Sequence, residues 1–164
     1  MDPGRDWVYF YDLPNAAETN NAVEYYLQID DPSQQPTLLL FASIFKDPFV
    51  NTLRNRENLG YNISSHALVR GPALGIVFRV MSRYSTVLIE ARINQFLENC
   101  RGSIERMTDE DFEAFRDALR KNLLQKPENQ EQKAGRLASS ILSETPFDLR
   151  ECFFGHPTGV TAAH

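Results

Sequence analysis

Few side chains in this sequence have the type and spacing that chemistry needs. The three histidines are His66, His156 and His164. His66 stands alone in an alternating segment, and the other two fall in a tail rich in Gly, Pro and Ala. A catalytic zinc takes about three protein ligands. Neither the inverted His-x-x-Glu-His spacing, which puts two imidazoles and a general base on one helix, nor His-Glu-x-x-His occurs. The expectation is no metal site and no cofactor held by this chain. A Gly-x-Ser-x-Gly elbow, a Walker loop and a dinucleotide fingerprint are absent as well. Asp109-Glu110-Asp111 groups three carboxylates directly after Thr108. Acids are favoured in a first helical turn by the dipole, so they read as a solvated cap rather than a cation site. Cys100 and Cys152 fit no Cys-x-x-Cys pattern and read as free thiols of a reducing compartment.

One stretch is more specific. In Phe49-Val50-Asn51-Thr52-Leu53-Arg54-Asn55-Arg56-Glu57-Asn58-Leu59-Gly60-Tyr61 an arginine closes a helix, and a tyrosine opens a strand after an intervening Leu-Gly. Taken alone, Arg54 is favoured at a helix end by the dipole, and Tyr61 can serve simply to anchor a strand.

The elements that must carry these residues follow from periodicity. Trp7-Val8-Tyr9-Phe10-Tyr11 is an aromatic, β-branched run and reads as a first strand, with a polar loop from Pro14 to Asn21. Val23, Tyr25, Leu27 and Ile29 alternate onto one face of a second strand, and Asp30 to Pro36 breaks the chain. From Thr37 the period lengthens: Leu38, Phe41, Ala42, Phe45, Phe49 and Leu53 line one helical face. Pro48 interrupts it, and Asp47 is placed to cap a restart, so either one kinked helix or two in tandem ends near Glu57, with Gly60 helping the chain to leave. Tyr61–Val69 and Ile76–Met81 alternate about an Arg70-Gly71-Pro72 turn and make an antiparallel hairpin. A helix from Ser85 to Arg106 carries the stripe Ile89, Ile93, Phe96, Leu97, Cys100 and Ile104. A second, capped at Thr108 and ended by Pro127, shows Phe112, Phe115, Leu119 and Leu123, and a third uses Ala134, Leu137, Ala138, Ile141 and Leu142. The order β-β-α-β-β-α-α-α predicts an α+β domain, helices packed on an antiparallel or mixed sheet.

Composition sets outer limits. The 164 residues, 42% apolar and 24% charged, suit one globular domain or a large piece of one. A net charge of -5 and a pI near 5.2 argue against nucleic acid and against a basic membrane anchor. Met1 to Asp6 has no apolar h-region, and the longest apolar stretch, Leu38 to Phe45, is far short of a membrane span. The chain reads as cytoplasmic, and Asn62-Ile63-Ser64 as a chance sequon.

The Phe49–Tyr61 stretch resembles a segment in the zinc-less C-terminal half of insulin-degrading-enzyme-like metallopeptidases, the inverzincin or M16 type. The flanks agree: Asp6-Trp7 before a strand, Val23-Glu24-Tyr25-Tyr26 in the next, and Ser103-Ile104-Glu105-Arg106-Met107-Thr108 at a helix junction. The resemblance runs from about Arg5 to Glu151. It implies a LuxS/MPP-like domain of a chamber whose zinc is held by the N-terminal half. It also implies that Arg54 and Tyr61 face bound peptide near the scissile bond, Arg54 orienting the substrate and Tyr61 assisting catalysis at the tetrahedral intermediate. The partners expected are a peptide substrate and the catalytic N-terminal half. An autonomous peptide-binding or scaffold module is the alternative, and hydrolysis by this chain alone is not expected. Residues 5–151 read as a truncated domain of this type, and 152–164 departs from the family as a divergent, disordered tail. A truncated domain leaves a helix face or sheet edge uncovered, hence an expected homo-oligomer.

Overall fold

A computed structural model describes residues 8–11, 15, 17–70, 73–125, 130, 131, 134, 135 and 138. Alternation places Val23, Tyr25 and Ile29 of β1 (Asn21–Ile29) against the core. After a 3-10 turn at Pro32–Gln34, α1 (Gln35–Val50) runs directly into a π turn, Asn51–Arg56. The expected hairpin forms from β2 (Asn62–Arg70) and β3 (Ala73–Ser82), with Ile63 opposite Val80, Ser65 opposite Phe78 and Ala67 opposite Ile76. The sheet is antiparallel in the order β1-β3-β2, so β3 is central, and Leu74 to Phe78 are all buried.

Two helices complete the layer. α2 (Thr86–Glu105) begins at Ser85, whose hydroxyl accepts from the Leu88 N–H at 3.4 Å. α3 (Asp109–Leu124) begins at Thr108, which accepts from the Asp111 N–H at 3.1 Å and donates to the Asp111 carboxylate at 2.7 Å. Phe49 is the hub between sheet and helices. Its ring centroid lies 5.0 Å from that of Phe78 on β3 and 5.1 Å from that of Phe96 on α2. It is fully buried, and truncation to alanine at such a site costs about 3–5 kcal/mol. Ile89, Ile93, Phe96 and Cys100 fill the α2 side of this core, so α1 and α2 cover the same sheet face.

The other face carries Tyr26, Val77 and His66 in one row and the Glu24–Arg79 ion pair, 2.6 Å, in the next. The Tyr26 ring lies where a side chain at Gly75 would stand, so only glycine fits beneath it. Burial, and then the Asp30 charge, push the Tyr26 phenol above its ordinary range.

One expectation needs correction. Val8–Tyr11 form no strand and are 65%, 81%, 85% and 84% exposed; an aromatic run has strand propensity, but a ladder needs a neighbour, and no described strand lies beside it. Trp7 lies outside the described residues. Of the two readings of the Pro48 region, one helix and two in tandem, the structure has the single helix. It passes through Pro48, because Phe45, Phe49 and Leu53 on its inner face are buried and hold it to the core. The apolar face of α3 is only half covered, with Phe112 and Phe115 still 42% and 37% exposed. Of the third helix, Ala134 and Ala138 are helical, while Leu137, Ile141 and Leu142, like the 152–164 tail with Cys152, His156 and His164, lie outside the described residues.

Candidate functional site

The turn that joins α1 to β2 carries both residues singled out by the sequence. Arg54 sits in the π turn with its side chain exposed. The widening is recorded in the backbone: the Glu57 N–H donates to the Thr52 carbonyl, five residues back, at 3.1 Å. The Leu59 N–H then donates to the Leu53 carbonyl at 2.8 Å, a Schellman-like closure around Asn58, whose φ of 50° is left-handed. Asn58, rather than Gly60, is therefore the residue that turns the chain. Asparagine tolerates this region better than most side chains do.

Gly60 serves a different need. A Cβ there would overlap the Met81 carbonyl oxygen of β3, so the Leu59–Tyr61 backbone can lie against the central strand only with glycine at this position. Leu59 is buried, and its carbonyl accepts the hydroxyl of Ser82. That same Ser82 oxygen accepts the Tyr84 N–H at 3.1 Å, which accounts for a buried hydroxyl at the strand end. Leu-Gly-Tyr thus reads as one residue in the core, one against the sheet and one outside: Tyr61 is 57% exposed at the head of β2.

The turn also reaches α2. Both Glu57 carboxylate oxygens are taken by Arg92, one from Nε at 2.9 Å and one from Nη2 at 2.6 Å. Glu57 hydrogen bonding first, and its charge second, raise the Arg92 guanidinium above its ordinary value. The side chains are 39% and 24% exposed, so solvent screening keeps the pair near the weak end, about 1 kcal/mol, and its worth is geometric. Glu57 and Arg92 are far apart in sequence, and no local signal marks the pairing.

Arg54 and Tyr61 stand at the two ends of this turn. Among the described residues, neither side chain has a hydrogen bond or ion pair, and they are not bonded to each other. His66 lies exposed on β2. Among the described residues no three His, Cys, Asp or Glu side chains stand together as a metal site. Asp109, Glu110 and Asp111 form the first turn of α3. Cys100 is a buried, unpaired thiol, and burial pushes its pKa up to about 12. A groove of about 420 Å³, lined by Leu27, Ile29, Leu38, Phe41 and Ile76 among others, opens between β1 and α1 and includes neither Arg54 nor Tyr61. No described helix is long and apolar enough to cross a membrane.

Comparison with known proteins converges with this geometry. Residues 40–138 match the family described as PQQ synthase PqqF-like, C-terminal lobe domain 4. The A-factor-processing enzyme of Saccharomyces cerevisiae is 31% identical over 143 residues, covering 86% of this chain and 14% of that protein. The insulin-degrading enzyme of Homo sapiens is 32% identical over 144 residues, 87% of this chain and 14% of the enzyme. The crystal structure of pitrilysin superposes with a TM-score of 0.63 at 22% identity, over 83% of this chain and 14% of that one, a likeness of fold. The family match and these relatives together define a domain of a peptidase family. Within that class, the chain belongs to the M16 insulinase-like family, in its C-terminal half. It spans about 14% of the length of these relatives.

Proposed function

We propose that this domain is a non-catalytic wall of a peptidase chamber, which positions a peptide for a zinc site carried by the N-terminal half of the same enzyme. The observation that carries the reading is the pair of exposed donors without described partners, Arg54 and Tyr61, at the ends of a turn held by the core, by β3 and by α2. A guanidinium offers a fixed fork of N–H groups and does not deprotonate, which suits a peptide carbonyl. A phenol can donate to an oxyanion as it forms, so Tyr61 assists the transition state while Arg54 binds and orients substrate. Donors already satisfied within the fold could do neither. The net charge of -5 and the free buried thiol support a cytoplasmic setting, and the half-covered α3 supports a homo-oligomer. Residues 5–151 constitute the domain in this proposal.

The test is a fluorogenic-peptide assay of the purified chain, alone and mixed with a zinc-containing N-terminal half. Activity is expected only in the mixture. Tyr61→Phe should lower kcat about 10²-fold, the effect of removing one oxyanion donor, and Arg54→Ala should raise KM. An unchanged rate for Tyr61→Phe removes its catalytic role. Silence of the mixture despite proven association of the halves leaves the alternative, an autonomous peptide-binding or scaffold module.

A further inference from the structure

We propose that the outer edge of β1, around Leu27 to Ile29, receives an extended peptide as an added strand. One large apolar side chain of that peptide sits in the groove between β1 and α1, and a basic residue faces Asp30 and Asp31. This rests on the reading of the domain as a peptide-positioning wall, and it names the class of peptide and a second point of hold. In the order β1-β3-β2 one edge of β1 is taken by β3, and among the described residues no strand takes the other at Leu27–Ile29. An open edge presents a row of N–H and C=O groups, which an extended chain satisfies.

The groove supplies the selectivity. Leu27 stands opposite Ile76 with the alternation of a core position, yet it is 37% exposed. The cause is how the helices divide the sheet: α1 packs chiefly over β2 and α2 over β1, and α2 supplies none of the groove's walls. Leu27, Ile29, Leu38, Phe41 and Ile76 are left around about 420 Å³ of apolar space beside the edge, room for an aromatic or long aliphatic side chain. In a strand added to β1 every second side chain turns to the face of Leu27 and Ile29. The groove therefore reads one position, while the backbone is held whatever the sequence. Asp30 and Asp31 are exposed where β1 ends, and among the described residues neither has a cationic partner. Their hydrogen bonds come from the neutral Gln28 amide at 2.8 Å and the Ser33 N–H at 2.9 Å. Two uncompensated charges there favour a basic neighbour of the apolar residue. Tyr61 lies at the other end of the sheet, beside Ser82, about 20 Å along β1 from Leu27. A peptide gripped at Leu27 is thus anchored well away from Tyr61.

The test uses the full chain labelled with 15N and the capped peptide Lys-Thr-Phe-Thr-Lys. With peptide at about ten times its Kd, amide exchange at the outward positions among residues 26–30 should slow about tenfold. Replacing the peptide's Phe by Ser should weaken binding at least about tenfold, as should Leu27→Gln in the protein. Replacing its Lys residues by Glu should weaken binding at low salt. If Leu27→Gln gives no cooperative melt, the Ser peptide on the wild-type chain decides alone. Binding that leaves residues 26–30 unprotected overturns the proposal, and so does equal binding of the Phe and Ser peptides or of the Lys and Glu peptides. Protection already present without peptide overturns it as well. Such protection would mean that Val8–Tyr11 of the same chain holds the edge or, if it grows with protein concentration, that a second copy does. The reading of Arg54 and Tyr61 fails separately, through Arg54→Ala and Tyr61→Phe in the mixed peptidase assay, neither of which alters β1.

Discussion

Cys100 shows how a single residue can be legible in place and illegible in behaviour. Its position in the Ile89–Ile93–Phe96 stripe marks it as core from spacing alone. Its protonation depends on the dry surroundings that only packing supplies. The folded state holds the thiol to about 12 against an ordinary 9.0, so it stays protonated where the unfolded chain has lost its proton. Between those values the unfolded state binds fewer protons, and stability must fall as pH rises; below the window this contribution is constant. Urea unfolding of a Cys152→Ser background from pH 8 to pH 11 should therefore lose more stability than the same protein with Cys100→Ala. Parallel profiles would refute the assignment. A motif singled out Arg54 and Tyr61 as candidates, whereas the Glu57–Arg92 pair carried no signal, because its partners are 35 positions apart and neither residue is unusual where it stands.

Among elements, what is written locally was read correctly. Ser85 and Thr108 announce helix starts because a cap is a contact between near neighbours in sequence. The β2–β3 hairpin follows from two alternating runs with a short turn between them. The π turn was missed, since nothing in Asn51–Arg56 distinguishes five-residue hydrogen bonding from four. Gly60 was noticed for the wrong reason: its requirement comes from Met81, on another strand. This separates two substitutions that look alike on paper. Gly60→Ala should destabilise by about 1–3 kcal/mol, as overpacking against backbone does, and should displace Tyr61. Asn58→Gly should be neutral or stabilising because φ is already left-handed there. Urea midpoints of the two variants give the comparison; equal effects would mean that the approach to Met81 does not require glycine at position 60.

For the whole molecule, the α+β class was legible and the sheet order was not, because pairing partners are set by packing across the chain. Trp7–Tyr11 illustrates the gap: propensity named a strand, and Val8–Tyr11 stands exposed. The uncovered part of α3 belongs to the same scale. Sedimentation of the wild-type chain should show mass above the monomer as concentration rises, and Phe115→Glu should return it to monomer. A wild-type monomer throughout would end the homo-oligomer reading. The order β1-β3-β2 has one further meaning, which concerns time. The central strand is the last of the three to be synthesised, so β1 has no described sheet partner until the chain has reached Leu74, opposite Ile29, and its pairing is complete only at Ser82, opposite Asn21. The hairpin closes over a short loop at little entropic cost, and the long return of β1 must wait for it. Residues 21–29 therefore spend the synthesis of about the next forty-five as an unpaired strand, with α1 emerging between them and the described edge they meet.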